Sequence, residues 1–561
     1  MSLKSKYLSS AFLLLITSVI VKIIGAVYKI PLTAFIGAVG RGYFAAAYNL
    51  CMPIHAITMG AFPVALSRLV SKYNAKSNSH MILSLKKGSG RLFAVVGLIG
   101  MCIMLAVSRV YSVYIASSPK SIYTILVLAP SILFSCMAAS YRGYYEGFMN
   151  MVPTSVSQML EAVFKLVFGL IFARLAMVYL YNSYIETGEI MGVCISSDEQ
   201  ALSMIYPITS AAAMLGVTLG SLVSLIYLFV YYLINREKGI KYSNFAVHDA
   251  QKELLSFSFP IMISCAVQSV FQFLDTATVQ YALGNIDKDI LYTAYAECLS
   301  SAKISSSDFV TYVYGLLSTA LDFKNLIPGV TMALGVCAVP AISSACEMKN
   351  NERLCTLINS IYKYTALLSA LGGIFLALCS SDILSVFYGA SSPDIVIGCD
   401  SLVKYFALTV PFYSLAGTAV FAVQAIGCPQ KSIKPYVVSG AIRVVLNLIL
   451  VSRKEFVLIG SVISGAAGYF VMWIWNVRIV CKVTKTKFDI LNVVIKPLMV
   501  AVVTYFCSNI IYSNISLNCN ILIKLLIEIA IYCTIFCILC FMCKVLKISE
   551  IFSTINFKKN A

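Results

Sequence analysis

Charge is scarce in this chain of 561 residues: Asp, Glu, Lys and Arg together make up 12%, against about 25% in an ordinary soluble domain. Histidine and tryptophan are scarcer still, at three and two residues. No stretch stays hydrophilic for long enough to fold as a separate catalytic domain. Three scattered histidines (His55, His80 and His248) cannot build a zinc site. Hydrophobic residues fill 60% of the sequence, more than the cores of a soluble protein of this size could bury. These absences leave a membrane protein.

Cysteine is plentiful, with nineteen residues, but most lie inside apolar runs, where Cys behaves as a small hydrophobe. Cys533, Cys537, Cys540 and Cys543 recur on one face of the last apolar stretch. With no His or carboxylate beside them, they read as packing rather than as metal ligands. The first apolar run follows Lys4 and Lys6 as a signal peptide would, yet it continues past Lys22 to Tyr28 without a small-residue cleavage site. It reads as a retained first helix.

Apolar stretches of about 20 residues, the length that crosses a bilayer, occur near 9–29, 43–66, 91–110, 122–141, 154–180, 205–234, 256–283 and 310–345. Six more follow near 356–380, 402–425, 434–451, 456–477, 490–511 and 519–543. Fourteen spans with the N-terminus inside place 25 basic residues in cytoplasmic segments and 9 outside. The inside set includes Arg68, Lys72, Lys76, Lys86, Lys87, Arg142, Arg236, Lys238, Lys241, Lys349, Lys487, Lys547, Lys558 and Lys559; the outside set includes Arg41, Lys120 and Lys303. The longest outside loops are acidic, with Glu186, Glu189, Asp198 and Glu199 in one and Asp287, Asp289, Glu297 and Asp308 in the other. This asymmetry puts both termini in the cytoplasm. It also accounts for the net charge of +18 without any nucleic acid.

The halves resemble each other. Lys165-Leu-Val-Phe-Gly-Leu-Ile171 reads against Arg443-Val-Val-Leu-Asn-Leu-Ile449, an offset of 278, and each follows a hairpin with a glycine turn, Gly147 and Gly427. Phe62-Pro63-Val64-Ala65 matches Val339-Pro340-Ala341-Ile342 at 277. Six spans is an even number, so the second copy inserts in the orientation of the first, and such parallel repeats hold substrate at their interface. The expected fold is all-α and polytopic, with about 14 transmembrane helices. Residues 1–240 form an N-terminal six-helix lobe, 241–485 a C-terminal six-helix lobe, and 486–561 an extra helix pair with a cytoplasmic tail.

An ionised group at mid-membrane costs about 2.5–3.5 kcal/mol on insertion scales and is a functional candidate by default. Arg174, Lys363 and Lys496 lie near span ends and can snorkel. Lys524 and Glu528 are four apart and can neutralise each other; so can Glu161 and Lys165. Lys22 lies mid-span with Lys29 seven residues on, on the same helix face, with Pro31 closing the helix soon after. A lysine stripe suits an anionic group such as a phosphate, and burial against an acid elsewhere is the alternative. Asp322 and Lys324 are two apart and cannot face each other. Asp275 is the leading candidate for a coupling cation or proton, or else the counter-ion of Lys22 or Lys324. Arg443, the repeat-mate of Lys165, has no acid within a turn on its own helix.

Lys22-Ile-Ile-Gly-Ala-Val-Tyr-Lys-Ile-Pro-Leu-Thr33 and Tyr141-Arg-Gly-Tyr-Tyr-Glu-Gly-Phe-Met-Asn-Met-Val-Pro-Thr-Ser-Val-Ser-Gln158 resemble the stage V sporulation protein B group. So do Asn325-Leu-Ile-Pro-Gly-Val-Thr331 through Val339-Pro-Ala-Ile-Ser343, and Gln424-Ala-Ile-Gly-Cys-Pro429. The likeness runs to about residue 480. That group is similar to the MurJ-like lipid II flippases of the multidrug/oligosaccharidyl-lipid/polysaccharide exporter superfamily. The resemblance implies two six-helix lobes around a central cavity, and a final helix pair that forms a groove for a lipid tail. The implied cargo is a polyprenyl-diphosphate-linked saccharide moved from the cytoplasmic to the outer leaflet. It further implies basic diphosphate contacts on the first, second and eighth spans, where Lys22, His55 and Lys324 are the nearest counterparts. Asp275 matches a seventh-span acid linked in some relatives to sodium, with Asn447 as its candidate partner.

The candidate substrate-binding residues are therefore Lys22, Lys29, His55, Lys165, Lys324 and Arg443, with Asp275 and Asn447 for a coupling ion. No cofactor is expected; sodium or the membrane potential would supply coupling. The expected partners are the bilayer and the lipid-linked saccharide, with the protein monomeric in the bacterial cytoplasmic membrane. Two other readings stay open. A cation-coupled multidrug exporter shares the superfamily, although a lysine-bearing first helix would repel cationic drugs. A polytopic glycosyltransferase or polymerase would use Asp287-Lys-Asp289 as a metal motif, but that motif falls in an outside loop, away from nucleotide donors.

Overall fold

In hydrocarbon every backbone N–H and C=O must find its partner within the chain, so an apolar span of this length has helix as its only open-ended solution. The computed structural model describes residues 3–60, 62–235, 244–302, 304–348, 350–486, 488–514 and 521–545. Of the basic residues counted above, Arg236, Lys238, Lys241, Lys303, Lys349, Lys487, Lys547, Lys558 and Lys559 lie outside the described residues.

The helices run α1 Leu3–Gly60, α2 Phe62–Ala75, α3 Ser79–Val110, α4 Ile122–Gly147, α5 Val152–Thr187 and α6 Asp198–Asn235. They continue with α7 Asn244–Gly284, α8 Lys288–Ala294, α9 Ala296–Ala302, α10 Phe309–Glu347, α11 Asn351–Leu378 and α12 Ser380–Tyr388. The last are α13 Pro393–Ala425, α14 Ile433–Leu450, α15 Val457–Thr484, α16 Lys496–Asn514 and α17 Ile521–Met542. The only strands among the described residues form a two-residue hairpin, β1 Glu189–Ile190 against β2 Val193–Cys194. Among the described residues, eleven candidate spans are long and apolar enough to cross a membrane. The first of them holds two expected spans, and α7 and α10, of 41 and 39 residues, supply the seventh and eighth. The described residues of all fourteen expected spans are thus helical, and the chain is a multi-pass membrane protein.

The first two spans are not separated by a loop. Helix α1 passes through Pro31 and Pro53 and breaks at one residue, Gly37, with φ 63° and ψ −177°. A side chain is strained at that φ, and Gly37 also faces the Tyr206 hydroxyl at contact distance. Two expectations change in consequence: Pro31 does not close the helix, and Arg41 is not an outside loop residue but is 2% exposed beside Phe44. Lys86, expected in a cytoplasmic loop, is likewise buried, 3.2 Å from the ring centroid of Tyr141 and donating to Ser140 Oγ at 3.1 Å.

Packing divides the chain into two units, Met1–Ser318 and Thr319–Ala561. In the first, α4 lies against α3 and α6, α5 runs along α6, and α1 touches α4, α5 and α7. Helix α7 packs on α1, α2 and α3. Near its start Gln251 donates to the Gly88 carbonyl at 3.1 Å, and near its end Gln280 accepts from Tyr111 Oη at 2.6 Å. In the second unit, α13 lies against α11 and α15, α14 against α15, and α16 against α11 and α17.

The internal repeat is visible in how helices pair. A Cβ on Gly220 of α6 would lie 2.7 Å from the Glu161 carbonyl oxygen of α5, and one on Gly468 of α15 would lie 3.0 Å from the Ser439 carbonyl oxygen of α14. Ser439 stands 278 residues after Glu161, the offset read from the sequence. One turn earlier Gly216 abuts Gly169, while Ser464 donates to Asn447, again 278 residues after Gly169. The same small-residue seam recurs in both copies, as close helix packing in a membrane requires.

Candidate functional site

Several of the ionisable residues within the helices are held against aromatic rings in two clusters, one in each unit. In the first unit, Lys165 of α5 donates to Tyr48 Oη of α1 at 2.8 Å and lies 5.2 and 5.0 Å from the ring centroids of Tyr28 and Tyr48. An ammonium over an aromatic face is stabilised by about 0.5–2 kcal/mol, more as water is removed. Tyr28 can come this close because Gly169, one turn beyond Lys165, gives its ring room.

One turn before Lys165, Glu161 takes Arg142 of α4 at 2.8 Å, so the expected Glu161–Lys165 pair is not formed. Arg142 also donates to Ser157 at 3.0 Å and to Ser224 of α6 at 2.8 Å. The Tyr141–Gln158 motif thereby gains a physical account. Its arginine ties α4, α5 and α6 together, and Gly143 and Gly147 let α4 lie against Pro63 and Val70. His55, half-buried on α1, is within electrostatic range of Glu161 and Arg142. Asp275, half-buried on α7, is within range of Tyr314, whose hydroxyl accepts from Asn49.

In the second unit, Lys324 of α10 is 6% exposed and sits 5.0, 5.1 and 5.3 Å from the ring centroids of Phe406, Tyr413 and Tyr469. Arg443 of α14, 4% exposed, lies 5.0 Å from the same Tyr469 ring and donates to its hydroxyl at 3.3 Å. Tyr413 and Tyr469 stack with centroids 4.4 Å apart. Asn447, one turn beyond Arg443, is buried and accepts from Ser464.

The structure therefore brings Lys165 and His55 to one cluster and Lys324, Arg443 and Asn447 to the other. Lys22 and Lys29 lie on α1, the first exposed and the second half-buried. Asp275 and Asn447 fall in different units.

Sequence reading missed the aromatic half of each site, Tyr28 and Tyr48 in one and Tyr413 and Tyr469 in the other. It also missed Arg142, although the residue lies inside a motif already singled out. Other pairings shift as well. Lys524 meets Asp382 at 3.0 Å and Glu528 only at 3.7 Å. Asp287, half of the candidate metal motif, caps α8 by accepting from the Asp289 N–H at 3.2 Å. Among the described residues no group of His, Cys, Asp and Glu is placed to hold a metal ion. In the cysteine series Cys540 is buried while Cys537 and Cys543 are exposed. Ammonium and guanidinium groups are the side chains that bind phosphate oxygens, and each cluster holds at least one.

Residues 7–196 match the polysaccharide biosynthesis protein family. The chain is 22% identical over 551 residues to the stage V sporulation protein B of Bacillus subtilis (strain 168), covering 98% of this chain and 97% of that one. It is 23% identical over 485 residues to the lipid II flippase MurJ of the same organism, covering 83% and 81%. Among solved structures, a lipid II flippase MurJ in an inward closed conformation superposes with a TM-score of 0.65 at 16% identity, covering 93% of this chain and 97% of the other. An inward-facing multidrug resistance transporter of the same superfamily gives 0.58 at 14% identity, covering 83% and 99%. The resemblance to the stage V sporulation protein B and MurJ-like group is borne out, and the fold is the one these transporters share.

Proposed function

We propose that this chain is a flippase that moves a polyprenyl-diphosphate-linked saccharide from the cytoplasmic to the outer leaflet of a bacterial membrane. One curated relative and one solved structure are lipid II flippases by name. The observation that carries the reading is the pair of aromatic-backed cation clusters, Lys165 with Tyr28 and Tyr48, and Lys324 and Arg443 about Tyr469. An ionisable residue kept within a membrane helix is a functional candidate by default, and a diphosphate is a cargo group that lysine and arginine bind. Lys22, exposed on α1, completes the candidate contacts.

The working division is residues 1–240 and 241–485 as like-oriented lobes operating by alternating access, with 486–561 as the added helix pair. Both termini are cytoplasmic by the basic-residue asymmetry, which moving Arg41 and Lys86 out of loops leaves intact, since one is lost from each side. Coupling to sodium or to the membrane potential, with Asp275 and Asn447 as candidate ligands, belongs to the same proposal. The drug-exporter reading shares the fold, but its cationic substrates would meet Lys165, Lys324 and Arg443.

The deciding experiment reconstitutes the purified protein in vesicles with a fluorescent polyprenyl-diphosphate-linked saccharide. The fraction of label open to a membrane-impermeant quencher is then followed with time. Transfer faster than in protein-free vesicles supports the proposal. No transfer of any such lipid, together with efflux of cationic dyes, replaces it with drug export.

A further inference from the structure

Glu161 stands four residues before Lys165 on α5, the spacing and the order in which an acid and a lysine pair best on one helix. The structure gives the acid a different partner. Arg142 of α4 meets Glu161 at 2.8 Å, while Lys165 donates to Tyr48 Oη at 2.8 Å. Two hydroxyls also hold the guanidinium, whose Nε donates to Ser157 at 3.0 Å and whose Nη2 donates to Ser224 at 2.8 Å. A planar fork oriented in this way loses less side-chain freedom per hydrogen bond than a lysine stem does. Glu146, another acid in range of Arg142, accepts from Thr154 at 3.1 Å.

The second copy reaches the same end by another route. Arg443 is the repeat-mate of Lys165, and the position 278 residues after Glu161 is Ser439, which carries no charge. Carried forward by 278, or by the 280 that separates Gly147 from Gly427, Arg142 falls on Val420 or Ala422, both apolar. Acid and arginine are thus present together in one copy and absent together in the other, while the basic residue stands in both. A brace between helices does not account for that pattern, since Ser157 and Ser224 already tie Arg142 to α5 and α6 without the acid.

We propose that Arg142 is a positioning residue for cargo binding: by holding the Glu161 carboxylate it keeps the charge of Lys165 for the diphosphate. The proposal rests on the cargo proposed above.

The test follows transfer of the fluorescent polyprenyl-diphosphate-linked saccharide by the full chain in vesicles. Arg142→Gln releases Glu161 to Lys165 and should slow transfer by roughly tenfold, the loss of one charge-assisted phosphate contact. Arg142→Gln together with Glu161→Gln removes both charges and should return transfer to within about threefold of wild type. A double variant no faster than Arg142→Gln leaves only a brace between helices and overturns the proposal. So does Arg142→Gln that transfers at the wild-type rate. Should Arg142→Gln not fold, Arg142→His makes the effect titratable. Its transfer relative to wild type should fall by roughly tenfold from about pH 5.5 to about pH 8, as the imidazolium that holds Glu161 loses its proton; parallel profiles overturn the proposal. A wild type that moves no lipid-linked saccharide sinks the cargo reading. Calorimetry with inorganic diphosphate then decides the role of Arg142: binding weakened roughly tenfold in Arg142→Gln and recovered in the double variant upholds it, and any other result overturns it.

Discussion

The Tyr469 hydroxyl accepts a hydrogen bond from Arg443 at 3.3 Å, and the same ring lies 5.3 Å from the Lys324 ammonium. One side chain serves two buried cations, so its substitutions separate two effects. Tyr469→Phe keeps the ring and loses one hydrogen bond, and should cost about 0.5–1.5 kcal/mol of stability. Tyr469→Leu loses the aromatic face as well, and should cost about 0.5–2 kcal/mol more. Thermal unfolding in detergent reads both; equal losses for Phe and Leu would show that the ring does not hold the cations.

Lys22 is exposed, so replacing it leaves no buried group unsatisfied. Lys22→Ala should change stability by no more than about 0.5 kcal/mol while lowering lipid transfer by roughly tenfold, the loss of a charge-assisted phosphate contact. Transfer at the wild-type rate would remove Lys22 from the site.

Glycines test the repeat seam. Gly220→Ala and Gly468→Ala each drive a methyl group into the facing helix and should destabilise by about 1–3 kcal/mol. Gly25→Ala, with open space around its Cβ position, should be neutral or stabilise by up to about 1 kcal/mol. Melting temperatures that fail to separate the two seam variants from Gly25→Ala would argue against the shared packing.

Glu253, near the start of α7, responds to pH. Burial pushes its carboxyl upward, but hydrogen bonds from Lys72 at 2.8 Å and Tyr73 at 2.7 Å outweigh that and hold it below the ordinary value of 4.5. A carboxyl depressed by folding adds stability above its unfolded pKa and loses it as pH falls through the folded one. Wild type should therefore lose more stability than Glu253→Gln when pH drops below 4.5. Parallel acid profiles for the two would contradict this.

The spans were legible because a bilayer leaves an apolar segment one way to satisfy its backbone, and hydropathy reads that directly. The contacts across helices were not. The four-residue rule sees only one helix: it found Lys524 with Glu528, at 3.7 Å, but not the shorter contact of Lys524 to Asp382 or the pairing of Glu161 with Arg142, which come from neighbours that no spacing reveals. Arg41 and Lys86 were assigned to loops because a charge between two apolar runs usually marks one. Here α1 runs on through Arg41, and Lys86 turns inward onto tyrosines. Tyr469 and Tyr48 gave no signal, since an aromatic residue in an apolar run looks like any other until a cation is placed beside it.

Gly37 gives α1 a property that a connecting loop would lack. A loop would put many torsions between the two spans, whereas here only the φ and ψ of Gly37 stand between residues 3–36 and 38–60. Tyr48 and His55 stand on that second arm, so the orientation of residues 38–60 about Gly37 sets both the partner offered to Lys165 and the place of His55 in the field of Glu161.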